Sequence, residues 1–198
     1  MTGLLFVLSG PSGVGKNTVL NKILSLRPDL TYSISATTRP PRGQEVDGVN
    51  YYFLTKEQFE AEIENEGFLE WAEIYDHYYG TPKQAVFKWL NSGRHVILDV
   101  DIQGAVQIRK NYPQSILIFL YPPSIQELQR RLITRNTDDQ ESIRKRLAYI
   151  DKELAAVSNY DYVVLNDNLE EACRRVEAII NAEEVKVSRG YWKKFICP

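Results

Sequence analysis

The segment Gly10-Pro11-Ser12-Gly13-Val14-Gly15-Lys16-Asn17-Thr18 decides the fold of this chain. A short apolar run at 4–9 precedes it, and an amphipathic helical pattern at 16–26 follows it. Glycines in such a loop let backbone N–H groups turn inward around a phosphate, and the helix N-terminus adds positive charge. Because G-x-x-x-x-G-K rarely arises by chance between a strand and a helix, the segment predicts a P-loop that binds ATP phosphates rather than a plain glycine turn.

One position departs from the usual P-loop pattern. The residue after the loop lysine is normally Ser or Thr, whose hydroxyl ligates Mg²⁺, whereas this chain has Asn17 followed by Thr18. Asp99 ends an apolar strand-like run, which fits either an acid that orients Mg²⁺ through water or a residue that caps the next turn. The sequence therefore identifies no firm direct metal ligand: Thr18 and Asp99 are candidates, and Asn17 is a doubtful one.

Apolar runs typical of buried strands alternate with helical patterns along the chain. The runs lie at 4–9, 95–101, 115–121 and 162–166. Capping-box pairs precede helical stretches at Thr55 and Gln58, Ser124 and Glu127, Asp138 and Glu141, and Asn168 and Glu171. Together these patterns predict an α/β protein with a P-loop NTPase-type three-layer core around a parallel sheet.

Two segments interrupt this alternation. Residues 35–81 are rich in Arg, Pro and Tyr and contain short aromatic strand-like pieces around one helix, and residues 125–151 crowd arginines into helical pieces. We expect an inserted subdomain at 35–81 and a second, helical insertion at 125–151. The core then comprises 1–34, 82–124 and 152–186, and a C-terminal tail covers 187–198.

Composition excludes several classes of protein. The 198 residues are 43% hydrophobic and 25% charged with a net charge of −2, which is ordinary for a globular protein and unlike a disordered chain or a general nucleic-acid binder. Two distant cysteines and two histidines match no zinc pattern and no disulfide framework. No apolar run is long enough to cross a membrane, and the first run has no basic leader. We therefore expect a cytoplasmic protein without nucleic-acid or membrane partners.

An ordered set of motifs follows the P-loop. The motifs are Ser35-Ala-Thr-Thr-Arg39-Pro-Pro-Arg42-Gly43, Gly48-Val-Asn-Tyr51-Tyr-Phe, Phe68-Leu-Glu70-Trp71-Ala, His77-Tyr-Tyr79-Gly-Thr81-Pro, Ile97-Leu-Asp99-Val-Asp101-Ile-Gln-Gly104, Arg131-Leu-Ile-Thr-Arg135 and Ile143-Arg-Lys-Arg146-Leu. Within this set, Arg39 and Arg42, three apart on a proline-stiffened segment, can bind one phosphate with forked donors. Together the motifs resemble the guanylate kinase family, and the resemblance extends from about residue 5 to 183.

The resemblance implies a kinase that phosphorylates GMP, and also dGMP, from ATP with Mg²⁺ in purine nucleotide metabolism. It makes 35–81 the GMP-binding subdomain and 125–151 the lid. The catalytic residues that it implies are Lys16, Arg39, Arg135 and Arg146. The GMP-binding residues that it implies are Ser35, Arg39, Arg42, Tyr51, Glu70, Tyr79, Thr81, Asp99 and Asp101.

The chemistry of guanine agrees with this assignment. Guanine presents N1–H and N2–H₂ donors beside an O6 acceptor, so carboxylates such as Glu70 and Asp101 can accept from it while hydroxyls adapt to O6 or N7. Taken singly, Glu70 fits a solvated acid equally well, and the tyrosines fit a small core. Two alternatives remain: a related kinase for a ribose phosphate, and a peptide-binding guanylate-kinase-like domain without catalysis. The sequence leaves open whether the protein is a monomer or a homodimer.

Overall fold

The computed structural model describes residues 2–74, 76–134 and 150–190, which contain nine strands, seven α-helices and two 3₁₀ helices at Ala156–Asn159 and Val187–Arg189. The strands are β1 Leu5–Ser9, β2 Leu30–Tyr32, β3 Ala36–Thr37, β4 Tyr52–Phe53, β5 Phe68–Ile74, β6 His77–Pro82, β7 His95–Asp99, β8 Ile116–Tyr121 and β9 Tyr162–Leu165. The helices are α1 Lys16–Leu26, α2 Lys56–Glu64, α3 Lys83–Asn91, α4 Ile102–Asn111, α5 Ile125–Thr134, α6 at 150–155 and α7 Leu169–Val185.

The core sheet has the order β2-β7-β1-β8-β9, and all its strand pairs are parallel. One face packs on α1 and α7 through a cluster that includes Ile23 and Val176, and the other packs on α3 and α4 through a cluster that includes Leu90 and Ile108. The structure therefore confirms the predicted α/β fold with helices on both faces of a parallel sheet. The carboxyl ends of parallel strands share one edge, where open α/β sheets bind their ligands.

The second sheet has the order β4-β3-β6-β5 and is mixed, since β3 pairs parallel with β4 but β6 runs antiparallel to both of its neighbours. Phe59 of α2 is fully buried and stacks on Phe68 and Tyr78 at ring-centroid distances of 4.3 and 5.3 Å. This sheet thus has a small aromatic core of its own. The division of the whole chain into core, GMP-binding subdomain, lid and tail stays a prediction.

The helix starts follow the predicted caps in part. Thr55 and Gln58 form the full reciprocal capping box of α2. The side chain of Asn168 accepts the Glu171 N–H, but the Asn168 N–H donates to Asp167 instead of to Glu171. The side chain of Ser124 accepts the Glu127 N–H, but the Glu127 carboxylate accepts from Arg130 and Arg131 of α5. The pair Asp138 and Glu141 lies outside the described residues.

One strand boundary and two helices differ from the sequence prediction. The strand expected at 95–101 ends at Asp99, because Asp101 is the N-cap of α4 and accepts the Gly104 N–H at 2.7 Å. The sequence patterns also missed α3 and α4. In the part of the chain that the structure describes, no helix is both long and apolar enough to cross a bilayer.

Candidate nucleotide-binding site

The glycine loop follows β1 and wraps the N-terminus of α1, as predicted. Gly10, Gly13 and Gly15 have φ of 146°, 82° and 99°, in the region that favours glycine, and a Cβ on Gly10 would lie 2.5 Å from the Leu120 carbonyl oxygen. A cavity of about 290 Å³ lies over the loop and is lined by Ser12, Gly13, Gly15, Lys16, Asn17, Thr18 and Arg131. Gly10, Pro11 and Val14 are buried and support the loop without lining that cavity.

Lys16, the first residue of α1, lies close to Asp99, the last residue of the neighbouring strand β7. The Lys16 ammonium donates to the Gly10 carbonyl at 2.9 Å, so its charge already lies at the phosphate cavity. Burial raises the pKa of the Asp99 carboxyl, and the Lys16 charge acts in the opposite direction. Asn17 and Thr18 are exposed beside the same cavity. The side chains of Asn17, Thr18 and Asp99 all offer oxygen, the ligand atom that Mg²⁺ prefers.

Glu70 lies on β5, is only 8% exposed, and accepts a hydrogen bond from the Thr81 hydroxyl of β6 at 2.5 Å. Burial, with Asp101 as a nearby negative charge, raises the pKa of the Glu70 carboxyl to about 7. Asp101 reaches the same place, since a Cβ on Gly104 would lie 3.1 Å from Glu70 Oε2 and 3.4 Å from Asp101 Oδ1. The structure thus gathers Glu70, Thr81 and Asp101 around Gly104, which leaves room for both carboxylates.

Arg39 is 6% exposed, with its guanidinium 5.4 Å from the ring centroid of Tyr51. The Tyr51 ring in turn meets the Tyr79 ring edge-on at 6.2 Å. These three predicted phosphate-binding residues therefore lie side by side. Arg42 is exposed, and its backbone N–H donates to the Glu45 carboxylate at 2.7 Å.

Sequence reasoning missed Glu45. Its carboxylate accepts from the Arg39 guanidinium at 3.0 Å and from the Arg42 N–H at 2.7 Å, and Arg39 holds the pKa of that carboxyl below its usual range. An acid within six residues of two arginines was the available signal. Glu45 fixes the loop that carries both arginines.

Sequence reasoning also missed Tyr32, at the end of β2. Burial raises the pKa of its phenol to about 12, and the nearby acidic groups Asp99 and Tyr51 add to the rise. Tyr32 therefore lies near both the Asp99 carboxyl and the Tyr51 phenol. Ser35 is half-buried just before β3, and its carbonyl accepts the Tyr52 N–H at 3.0 Å.

The predicted lid arginines, Arg135 and Arg146, lie outside the described residues. Arg131 of α5 instead lines the phosphate cavity, where its guanidinium donates to the Glu127 carboxylate at 2.8 Å and to the Val14 carbonyl at 3.3 Å.

Comparison with known proteins matches residues 3–183 to the family model described as guanylate kinase. The chain belongs to the guanylate kinase family. A guanylate kinase of Caldanaerobacter subterraneus subsp. tengcongensis is 49% identical over 95% of this chain and 91% of the relative. One from Carboxydothermus hydrogenoformans is 50% identical over 94% of this chain and 92% of its own length.

Solved structures agree with the sequence comparison. The crystal structure of guanylate kinase from Anaplasma phagocytophilum is 33% identical to this chain and superposes with a TM-score of 0.73, covering 93% of this chain and 88% of that one. The family predicted from the motifs is therefore confirmed, and the ordered motif set was the signal that identified it.

Proposed function

We propose that this chain transfers the γ-phosphoryl group of ATP to the phosphate of GMP, or of dGMP, with the residue roles set out below. As a member of its family, the chain is a nucleoside monophosphate kinase, an ATP:GMP phosphotransferase. The observation that carries the residue assignment is the buried pair Glu70 and Thr81 beside Asp101, on the second sheet and at the start of α4.

The reaction needs positioning and charge rather than a covalent intermediate. An oxygen of the GMP phosphate attacks the γ-phosphorus in line, the bond to the β–γ bridging oxygen breaks, and ADP leaves. Lys16 neutralises charge that develops on the transferred group and on the bridging oxygen, while backbone N–H groups of the loop hold the phosphates of ATP.

Arg39, with Tyr51 and Tyr79 around it, is the clamp for the GMP phosphate in this proposal, and Arg42 completes it from the exposed side. In the structure the Arg39 guanidinium is already oriented by Glu45 and by the Pro40 carbonyl, at 3.0 and 2.8 Å. A planar guanidinium held in this way presents its remaining N–H groups to a phosphate with little loss of side-chain freedom.

Glu70, Thr81, Ser35 and Asp101 make up the base site in the proposal, with Asp99 beside the acceptor phosphate. A carboxylate accepts from the N1–H and N2–H₂ groups of guanine. Adenine lacks both donors and would leave the buried Glu70 carboxylate without a partner, which is costly.

Mg²⁺ fits the oxygen donors at the phosphate loop, with Thr18 and Asp99 as the residues that would hold it and Asn17 as a doubtful ligand. When bound, the ion would neutralise phosphate charge. For Arg135 and Arg146 the sequence supports a lid role, in which their charges close over the transferred phosphoryl group. Soluble ATP and GMP are the expected partners, and a cytoplasmic location fits this role.

The proposed acceptor is tested by following ADP release with GMP, dGMP, AMP and buffer alone as acceptors. We expect turnover with GMP and dGMP, and at least 10³-fold lower kcat/KM with AMP, because a site built to hydrogen-bond a group rejects the analogue that lacks it. Comparable rates with AMP would overturn the base-site assignment.

The pH dependence of GMP use follows from the Glu70 pKa of about 7. Because burial disfavours the charged form, this carboxyl gains a proton as pH falls through 7 and then donates where guanine needs an acceptor. Measured as kcat/KM for GMP, which reports groups of the free enzyme, activity should fall about tenfold between pH 8 and pH 6. The Glu70→Gln variant is the control, since its residual kcat/KM for GMP should not show the fall between pH 8 and pH 6 that Glu70 causes. If the parent enzyme showed as small a fall as this variant, the assignment of Glu70 would be contradicted.

A further inference from the structure

Val14 of the phosphate loop is fixed by contacts of its side chain, its backbone N–H and its carbonyl group. Its side chain is fully buried in the core cluster beneath α1, and its N–H donates to the Pro11 carbonyl at 3.2 Å. Its carbonyl accepts two hydrogen bonds, from the Asn166 side-chain amide at 2.7 Å and from the Arg131 guanidinium at 3.3 Å.

Asn166 is the first residue after β9 and is itself firmly placed. It is only 7% exposed, and its backbone N–H donates to the Tyr121 carbonyl of β8 at 2.8 Å. Its side-chain nitrogen would lie 2.8 Å from a Cβ on Gly15, so the amide packs against two successive loop residues.

The direction of the Val14 carbonyl fixes the direction of the next N–H. In a trans peptide the C=O and N–H groups point in opposite directions, so a carbonyl held toward Asn166 turns the Gly15 N–H to the other side of the loop. Gly15 lines the phosphate cavity, and backbone N–H groups are the donors by which such loops hold phosphates.

The two donors to this carbonyl differ in what a bound nucleotide would do to them. Arg131 makes the longer contact, lines the phosphate cavity and carries a charge that phosphates attract. Asn166 makes the shorter contact, is neutral and is buried behind the loop. The amide is therefore the contact that persists when Arg131 turns to phosphate.

We propose that Asn166 is a positioning residue that fixes the phosphate loop for ATP through the Val14 carbonyl. This inference rests on the proposed use of the loop for ATP and is independent of the acceptor. Asn166 thereby connects the end of β9, the last strand of the core sheet, to the glycine loop that follows β1.

The test measures ATP dissociation constants by calorimetry without GMP, so that the result stands even if GMP were not the acceptor. Asn166→Leu keeps the branched shape and the number of side-chain heavy atoms but removes the donor, and we expect an ATP dissociation constant about tenfold higher, with the GMP dissociation constant within twofold of the parent value. A merely structural role would reduce the folded, binding-competent fraction and leave the constants of the remaining protein unchanged.

Asn166→Asp gives the sharper result. At pH 8 the carboxylate can only accept and faces the Val14 carbonyl oxygen, so ATP binding should weaken more than in Asn166→Leu. At pH 5.5 a carboxyl with a pKa raised by burial is protonated and can donate. Relative to the parent at the same pH, Asn166→Asp should then bind ATP more tightly than Asn166→Leu.

Asn168→Asp is the matched control. It adds the same charge two residues along the same loop, where the side-chain oxygen accepts the Glu171 N–H at 3.1 Å and a carboxylate accepts equally well. ATP binding should stay within twofold of the parent value. The proposal is overturned if Asn166→Leu binds ATP like the parent, or if Asn166→Asp at pH 5.5 recovers no further than Asn166→Leu. If Asn166→Leu does not fold, ATP binding by Asn166→Asp and by Asn168→Asp is compared at pH 8 and pH 5.5. The proposal is then overturned if Asn166→Asp shows no larger recovery of ATP binding at pH 5.5 than Asn168→Asp.

Discussion

Lys16→Ala is expected to lower kcat for GMP phosphorylation by about 10³-fold, with the protein folded and its GMP affinity near the parent value. The lysine ammonium lies at the phosphate cavity, bonded to the Gly10 carbonyl at 2.9 Å and close to Asp99. Removing a charge placed where negative charge develops in the transition state costs about 10²–10³-fold in similar sites. Steady-state kinetics with both substrates varied measure the loss.

Two variants make this result specific. Lys22→Ala removes a lysine from the same helix, where Lys22 pairs with an exposed Glu170 at 3.1 Å, and should leave kcat unchanged. Asn17→Ala should cost about tenfold or less, ~1.4 kcal/mol, since Mg²⁺ takes much of its coordination from phosphates and water. Equal losses at Asn17 and Lys16, with a sharply raised Mg²⁺ requirement for Asn17→Ala, would make the amide a true metal ligand.

Glu70→Gln is expected to lower kcat/KM for GMP by about 10²-fold near pH 8. The amide offers one acceptor and a competing donor, and losing a hydrogen bond to a charged, buried group costs about 1.5–3 kcal/mol. The fold should not suffer, because the Thr81 hydroxyl can donate to the amide oxygen as it does to the carboxylate. Thermal unfolding and kcat/KM with GMP and AMP together separate the two effects.

Glu73→Gln is the control for this second experiment. Glu73 lies on the same strand, β5, but is exposed. It should leave GMP use unchanged. GMP turnover by Glu70→Gln within about twofold of the parent would mean that Glu70 does not recognise the base.

The features that sequence predicts well are those that a few neighbouring residues determine. The glycine loop requires positive φ at Gly10, Gly13 and Gly15, and the α2 capping box joins residues three apart. The family motifs added the residues proposed for the base site, because Glu70, Thr81 and Asp101 are recognisable within their own short segments.

Two of the features that sequence missed depend on contacts between distant segments. Asn166 meets Val14 across 152 positions, and no local pattern predicts that pairing. Tyr32 joins the site because β2 lies next to β7, which brings it close to Asp99.

Two other misses were local. Asp101 was expected to continue a strand, but it accepts the Gly104 N–H three residues on and is a helix cap. Glu45 bonds to arginines only three and six residues away.

The position of β1 has a consequence for synthesis on the ribosome. This strand is fully buried between β7 and β8, both of which follow it in the chain by about 90 residues or more. At about 5–20 residues per second, the apolar segment Leu5–Ser9 waits roughly 5–20 s before its first sheet partner has been made. Pairing between such distant segments is also slow to form, so the strand that precedes the glycine loop needs shielding from aggregation while the nascent chain is incomplete.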